Sequence, residues 1–294
     1  MKIAVLGASG YIGSNLISAL LAAPDQYELV AISSHATDMN IDNPHLTKVN
    51  SNILKDTNLT NLLNGCEVVF YLLHMMAQKD LDFVEAEKIS AEKFVLAAQG
   101  AKVRRVIYLG GLGDDNDSLS RHLLSRHHTG EVLRNGLPEV IEFRASMVVG
   151  DGSISYDIIK SLVHKLPILT IPRWAKTMTQ PIGLGDAIKY LIAAIKVPLR
   201  NSEIVEIGGP EKISYRDLMQ RYAKWDKKRV LLIYLPFIPL SVSAWWLNLF
   251  TPKKHAKVGR TMVESLANPM VVTNNRAAEL FPDIKPLPLE DSFV

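Results

Sequence analysis

The stretch Lys2 to Gly13, KIAVLGASGYIG, constrains the fold of this chain more than any other. Ile3 to Leu6 form an apolar run of strand length. It breaks into Gly7, Gly10 and Gly13, and Ile12, Leu16, Ile17, Leu20 and Leu21 follow at helical spacing. A glycine triplet gains meaning between a strand and a helix N-terminus. Gly7 permits a sharp turn, Gly10 lets backbone N–H groups approach a pyrophosphate, and Gly13 lets helix and strand pack closely. The helix dipole favours the anion. The plain alternative is an ordinary glycine-rich turn, but the position after the first strand of an α/β chain favours a dinucleotide site. Gly7, Ser9, Gly10, Tyr11, Ile12 and Gly13 would form it.

The rest of the chain supplies the matching strands and helices. Glu28 to Ser33 is a second strand, Thr47 to Ile53 a third, and Val68 to Leu73 a fourth, apolar enough to be buried on both faces. Asp82 to Gln99 is helical, with Val84, Ala91, Phe94, Val95 and Ala98 inward and Gly100 as its cap. Arg105 to Leu109 is a fifth strand, followed by Gly110-Gly111-Leu112-Gly113; a helix over Ser120 to Asn135 leads to a sixth strand, Val140 to Arg144. This alternation predicts a doubly wound, parallel α/β sheet of the Rossmann type. It spans residues 1–150 and is rejoined by about 183–209, through a helix over Gly185 to Ile195 and a strand over Ile204 to Ile207. Residues 151–182 and 210–294 are then a smaller substrate-side region. That region holds helices over Ile158 to Lys165 and Tyr215 to Trp225, with Pro167 to Pro181 a loop carrying Arg173 and Trp174.

Ligands in such sheets bind outside the carboxyl ends of the strands. That places Leu72, Leu73 and His74 at the cofactor, with Asn52 and Ile53 beside it and Gly110 and Gly111 under its reactive end. An NAD-specific site has a carboxylate about twenty residues past the glycines. Here Ser33, Ser34 and His35 hold that place, without an arginine. The reading therefore favours NADP(H) and admits NAD(H).

Composition excludes other classes. A net charge of +3, from scattered basic residues, offers no nucleic-acid face. Cys66 is alone, which leaves no disulfide framework or zinc knuckle. The chain enters its first strand at once, with no room for a signal peptide, so the cytoplasm is the expected compartment. Val230 to Pro252 carries no charge and contains Trp245-Trp246; Lys227, Lys228 and Arg229 precede it, and Lys253, Lys254 and Lys257 follow. Pro236 and Pro239 argue against a membrane span. The expectation is a lid packed over the substrate cleft, with a membrane-peripheral interfacial helix as the alternative.

Several stretches carry a family resemblance: GASGYIG at 7–13, YLLHMM at 71–76, VIYLGGLG at 106–113, HLLSRHHTGEVLR at 122–134, FRASMVVGDGS at 143–153, LPILTIPRWAKTMTQPI at 166–182 and IGGPEKISY at 207–215. The sequence resembles the atypical, extended short-chain dehydrogenase/reductases. It looks closest to the nucleoside-diphosphate-sugar epimerase-like NAD(P)-binding proteins, and is more distantly similar to NmrA-like sensors and the NADPH-binding accessory subunit of respiratory complex I. The resemblance implies an oxidoreductase or epimerase-like enzyme acting on a small organic substrate, with Met75, Leu112, Met147, Arg173 and Trp174 on the substrate side. It also implies a monomer, or a homodimer pairing through helices 82–99 and 120–135.

The departures narrow this. Active members carry a Ser, and a Tyr four residues before a Lys; here Gly110 or Gly111 falls at the Ser place, His122 at the Tyr place and Arg126 at the Lys place. His122 and Arg126 share a helix face and are the candidate catalytic pair. The alternative is a non-catalytic NADP(H)-binding redox sensor or assembly factor. Adjacent His127 and His128 point to different faces, so no metal site is expected.

Overall fold

The computed structural model describes residues 1–77, 81–115, 118–166, 168–235 and 264–294. Six strands form in order: β1 (Lys2–Leu6), β2 (Glu28–Ser33), β3 (Leu46–Asn50), β4 (Val68–Tyr71), β5 (Arg105–Gly111) and β6 (Glu139–Ala145). Helices α1 (Tyr11–Ala22), α2 (Leu59–Leu63), α3 (Phe83–Gly100) and α4 (Arg121–Gly136) connect them. Short strands β7 (Val148–Val149), β8 (Ile168–Ile171), β9 (Met178–Thr179) and β10 (Ile182–Gly183) follow, with α5 (Ile154–Lys165) after β7 and α6 (Leu184–Ala193) after β10. Strand β11 (Glu203–Ile207) then joins the main sheet. Strands β12 (Ile213–Ser214) and β13 (Leu231–Tyr234) flank α7 (Tyr215–Trp225).

The sheet order is β11-β6-β5-β4-β1-β2-β3, and every pairing is parallel. The chain winds outward from β1 through β2 and β3, then restarts at β4 on the other side of β1. The crevice between β1 and β4 is therefore the switch point where such sheets bind ligands. Alternation makes both faces apolar: in β1, Ile3 and Val5 enter one core, while Ala4 and Leu6 enter the other. Each fully buried Ile, Leu or Phe contributes about 1.5–3 kcal/mol relative to exposure. A third core, built from α5, α7 and β8, includes Tyr156, Leu162, Leu169, Leu218 and Tyr222.

Several expectations shift. The third strand stops at Asn50, before Asn52 and Ile53, and the fifth runs on through Gly110 and Gly111. Gly100 is the last helical residue of α3, whose cap is Ala101; Val84 is only half-buried, whereas Ala86, Glu87 and Ser90 share the inner face. Helix α5 begins at Ile154 rather than Ile158, its first turn packing Tyr156 into the third core. The expected loop between Pro167 and Pro181 contains β8, a 3₁₀ turn over Arg173–Lys176 and β9. Strand β8 gains its partner from far along the chain, since β13 pairs with it in parallel. The apolar stretch 230–252 thus begins as a strand, while positions 236–252, where a lid or interfacial helix was expected, lie outside the described residues. Among the described residues no helix is long and apolar enough to cross a membrane.

Candidate functional site

The glycine turn has the geometry its spacing requires. Gly7 has φ +81, and a Cβ there would lie 2.6 Å from Leu72 O, so only glycine fits between β1 and β4. At Gly13 a Cβ would lie 2.4 Å from Gly7 O, because α1 crosses directly over the turn. Gly10 differs: its φ is −73, and Gly7 O, at 3.1 Å, is the sole atom near an added Cβ. Its free side faces a cleft of about 360 Å³, also lined by Tyr11, Ile12, Leu72, His74 and Gly110. Ser14 N–H bonds back to Gly10 O, leaving the preceding N–H groups of α1 at the helix end as anion donors. The Tyr11 hydroxyl is buried without a hydrogen-bond partner among the described residues. A dinucleotide phosphate would fit this cradle.

At the far edge of the turn, Ser33 Oγ donates to Ser9 Oγ (2.9 Å), while Ser34 and His35 are exposed. Asp38 follows them, its carboxylate 3.2 Å from His35 Nδ1.

At the other end of the cleft lies an ionic cluster. Asp82 caps α3 and Ser120 caps α4, and the two helices pack side by side with Glu87 facing Arg126. The Glu87 carboxylate, only 3% exposed, lies 3.4 Å from Arg126 Nη1 and 3.0 Å from His74 Nδ1, and accepts from Ser125 Oγ at 2.9 Å. Burial opposes its charge, yet Arg126 and these hydrogen bonds hold the carboxyl well below the usual carboxylate range. Arg126 also donates to Leu73 O (2.9 Å) and Leu109 O (2.5 Å), the backbone just past β4 and near the end of β5, and lies over the Tyr108 ring. It therefore ties two strand ends together as well as lining the cleft.

His74 Nε2 meets His122 Nε2 at 3.1 Å, with the rings parallel and 5.1 Å apart. His122 Nδ1 lies 3.0 Å from Ser265 Oγ, which lies 2.8 Å from Ser120 Oγ. Burial, with His74 and Arg126 beside it, brings the His122 imidazole down to about 3. Desolvation and Arg126 also lower His74, against the pull of Glu87. Both histidines are neutral at pH 7. The hydrogen bonds fix one neutral arrangement: His74 donates to Glu87, His122 to His74, and Ser265 to His122.

Beyond His122 opens a second cavity of about 110 Å³, walled by Met147, Ile159, Leu162, Met219, Leu266 and Met270. Trp174, stacked edge-on to Tyr215, also lines it, and its Nε1 is buried with no hydrogen-bond partner among the described residues. Gly111, His122, Ala145, Ser146 and Ser155 line both cavities. His122 thus stands at the doorway between them.

Most expected site residues converge on these cavities. Gly7, Gly10, Tyr11, Ile12, Gly13, Leu72, His74, Gly110, Gly111, His122 and Arg126 line the cleft, and Met147 and Trp174 the apolar cavity. Others lie elsewhere. Ser9 and Ser33 bond to each other at the turn, Asn52 Oδ1 accepts from Leu54 N–H, and Ile53 and Leu112 are core residues. Leu73 enters through its carbonyl, Met75 N–H donates to Glu87 (3.3 Å), and Arg173 is exposed. At Gly111, one of the two places for the family's serine, a Cβ would lie 2.8 Å from Leu123 Cδ2. His127 is buried against Asp115 and Gly111 O, whereas His128 is exposed. Among the described residues no cluster of metal-ligating side chains occurs.

Glu87 and Ser265 were missed. Glu87 left one trace, a carboxylate on the apolar stripe of α3. Ser265 lies 143 positions from His122, and no local pattern connects them.

Residues 7–143 match the NAD(P)H-binding family. Solved structures share the fold over nearly the whole chain. A nucleoside-diphosphate-sugar epimerase from Staphylococcus aureus matches with TM-score 0.74 and 15% identity, covering 99% of this chain and 98% of that one. UDP-glucuronic acid 4-epimerase from Bacillus cereus, in complex with UDP-glucuronic acid and NAD, matches at 0.73 and 20%, covering 99% and 96%. The Citrobacter sp. triphenylmethane reductase complexed with NADP(H) matches at 0.73 and 13%, covering 99% and 98%. The glycine turn, the parallel sheet and the match of residues 7–143 to the NAD(P)H-binding family agree with the short-chain dehydrogenase/reductase resemblance.

Proposed function

We propose that the protein is an NADP(H)-preferring oxidoreductase that transfers hydride between the cofactor and a small organic substrate. The doorway at His122 carries this reading, because a cofactor cleft opens there directly into a separate apolar cavity. Gly7 to Gly13 would hold the pyrophosphate, Ser9, Ser33 and Ser34 the adenosine ribose, and Gly110 and Gly111 the nicotinamide end. The bound cofactor supplies the hydride; His122 and His74 handle the accompanying proton. Residues 1–150 with 183–209 form the cofactor unit in this reading, and 151–182 with 210–294 enclose the substrate. The exposed Leu96 and Leu124, on α3 and α4, suit a homodimer contact.

A second reading is a non-catalytic NADP(H) sensor, favoured by the committed hydrogen bonds of Arg126 and the missing Tyr and Lys. Mass spectrometry of nucleotide copurified with the protein, then hydride exchange from labelled NADPH, separates the two. The enzyme reading expects exchange that falls sharply in His122→Ala with nucleotide affinity intact. Exchange at the wild-type rate in that variant removes His122 from the chemistry.

A further inference from the structure

The second cavity has a chemistry that the fold alone does not dictate. Among the described residues its wall is mainly aliphatic, aromatic and sulfur-bearing, and no lysine or arginine lines it. Arg126 is the one lysine or arginine among the described residues that line either cavity. Its guanidinium is committed to Glu87 and to the Leu73 and Leu109 carbonyls. A sugar nucleotide brings two phosphates and several hydroxyls, each costly to bury without a partner. At about 110 Å³ the cavity belongs to the size class of an engineered apolar cavity of ~150 Å³ that holds benzene. The His122 imidazole, Ser146 and Ser155 stand at the doorway, with Ser265 Oγ bonded to His122, and Trp174 Nε1, without a hydrogen-bond partner among the described residues, lies elsewhere in the lining.

We propose that this cavity takes a small, uncharged, mainly apolar carbonyl compound, and that Ser265, at the end of the Glu87–His74–His122 chain, delivers the proton to its oxygen. The proposal rests on the hydride-transfer reading above. The atoms balance without another reactant. With one extra proton on the chain, His74 is the imidazolium, bonded through Nδ1–H to the Glu87 carboxylate and through Nε2–H to His122 Nε2. His122 then presents Nδ1–H to Ser265 Oγ, freeing the serine proton for the substrate. Reduced nicotinamide, held at Gly110 and Gly111, would supply hydride to the carbonyl carbon, and the C=O π pair would move to oxygen. That oxygen takes the Ser265 proton, Ser265 takes the His122 Nδ1 proton, and His122 Nε2 takes the His74 proton. The chain ends in the neutral arrangement, with alcohol and oxidised cofactor as products. His74, 40% exposed along its side chain, regains a proton from solvent. The groups facing the two rings are Glu87 from α3, Arg126 from α4 and Ser265. Loading the extra proton is favoured by acid, so reduction accelerates as pH falls.

The test uses the full chain. Benzyl alcohol and UDP-glucose are titrated into NADP⁺-loaded protein by calorimetry, and NADPH consumption is followed with benzaldehyde and cyclohexanone. Benzyl alcohol should bind and UDP-glucose should not; both carbonyls should consume NADPH. Ser265→Ala should lower kcat by about 10²–10⁴-fold, the usual worth of acid–base assistance, while benzyl alcohol binding weakens by no more than about tenfold, the worth of one hydrogen bond. It should also flatten the rise of kcat at low pH, which a merely structural role would not do. Binding of UDP-glucose but not benzyl alcohol overturns the substrate class. A wild-type kcat and pH profile in Ser265→Ala overturns the proton route. Benzyl alcohol binding with no NADPH consumed by either carbonyl overturns hydride transfer and the Ser265 step together, while upholding the cavity's ligand class.

Discussion

Removing the Glu87 carboxylate is the perturbation with the most legible energetics. Glu87 is 3% exposed and Arg126 5%, so Glu87→Leu leaves a guanidinium buried against a neutral side chain. His74 Nδ1, Ser125 Oγ and Met75 N–H also lose an acceptor. Breaking one side of a buried ion pair costs about 3–5 kcal/mol, a large share of the 5–15 kcal/mol that typically holds a domain folded. At about 2.1 cal/mol/K per residue over 294 residues, this corresponds to a fall of roughly 5–8 °C in unfolding temperature. The double variant Glu87→Leu, Arg126→Met should recover the part of the loss due to the unpaired guanidinium, since an apolar pair of similar volume often replaces a buried ion pair at little cost. Urea unfolding of wild type, both single variants and the double variant measures the coupling. A Glu87→Leu variant within about 1 kcal/mol of wild type, or a double variant as unstable as the sum of the singles, would refute the buried pair.

Gly10→Val should abolish NADPH binding by calorimetry with little change in unfolding temperature, because its Cβ meets only Gly7 O and enters the cleft; Gly13→Ala, whose Cβ would strike backbone, should unfold more easily. Ser34→Arg should tighten NADPH more than NADH, since it adds a cation at the exposed end of β2; equal gains for both would place the 2′-phosphate elsewhere. Stability should also fall with acid. His122 sits near 3 when folded against 6.5 unfolded, so the unfolded chain takes up the extra proton as pH drops below 6.5. One such group removes at most about 1.36 kcal/mol per pH unit, and His122→Phe should make the decline between pH 6 and 4 shallower by up to that amount. An unchanged slope would mean His122 titrates normally.

The cofactor half of the molecule was legible because its signals are local. Gly7 and Gly13 sit where backbone meets backbone, so their spacing reports the turn directly, and the buried strands β1, β4 and β5 read as continuous apolar runs. That His122 and Arg126 share one side of α4 followed from helical periodicity, and that this side meets the cleft followed from the family resemblance. The substrate half was harder. Strand β8 pairs with β13, more than sixty positions later, and its four residues ILTI, set between Pro167 and Pro172, are too short to stand out as a strand on their own. Ser265 reaches His122 through tertiary packing, and Glu87 shows in the sequence only as a carboxylate on the apolar stripe of α3, with its partner Arg126 39 positions away.

The central claim is that the cofactor cleft and the apolar cavity form one reaction chamber, and a crystal structure of the protein with NADPH tests it most directly. The account predicts the pyrophosphate on the Gly7–Gly13 turn and the nicotinamide over Gly110 and Gly111. Its C4 should face the doorway, within reach of a carbon held in the cavity at the roughly 3–3.5 Å needed for reaction. A nicotinamide turned away from His122 and Ser265, with its C4 shut off from the apolar cavity, would contradict it.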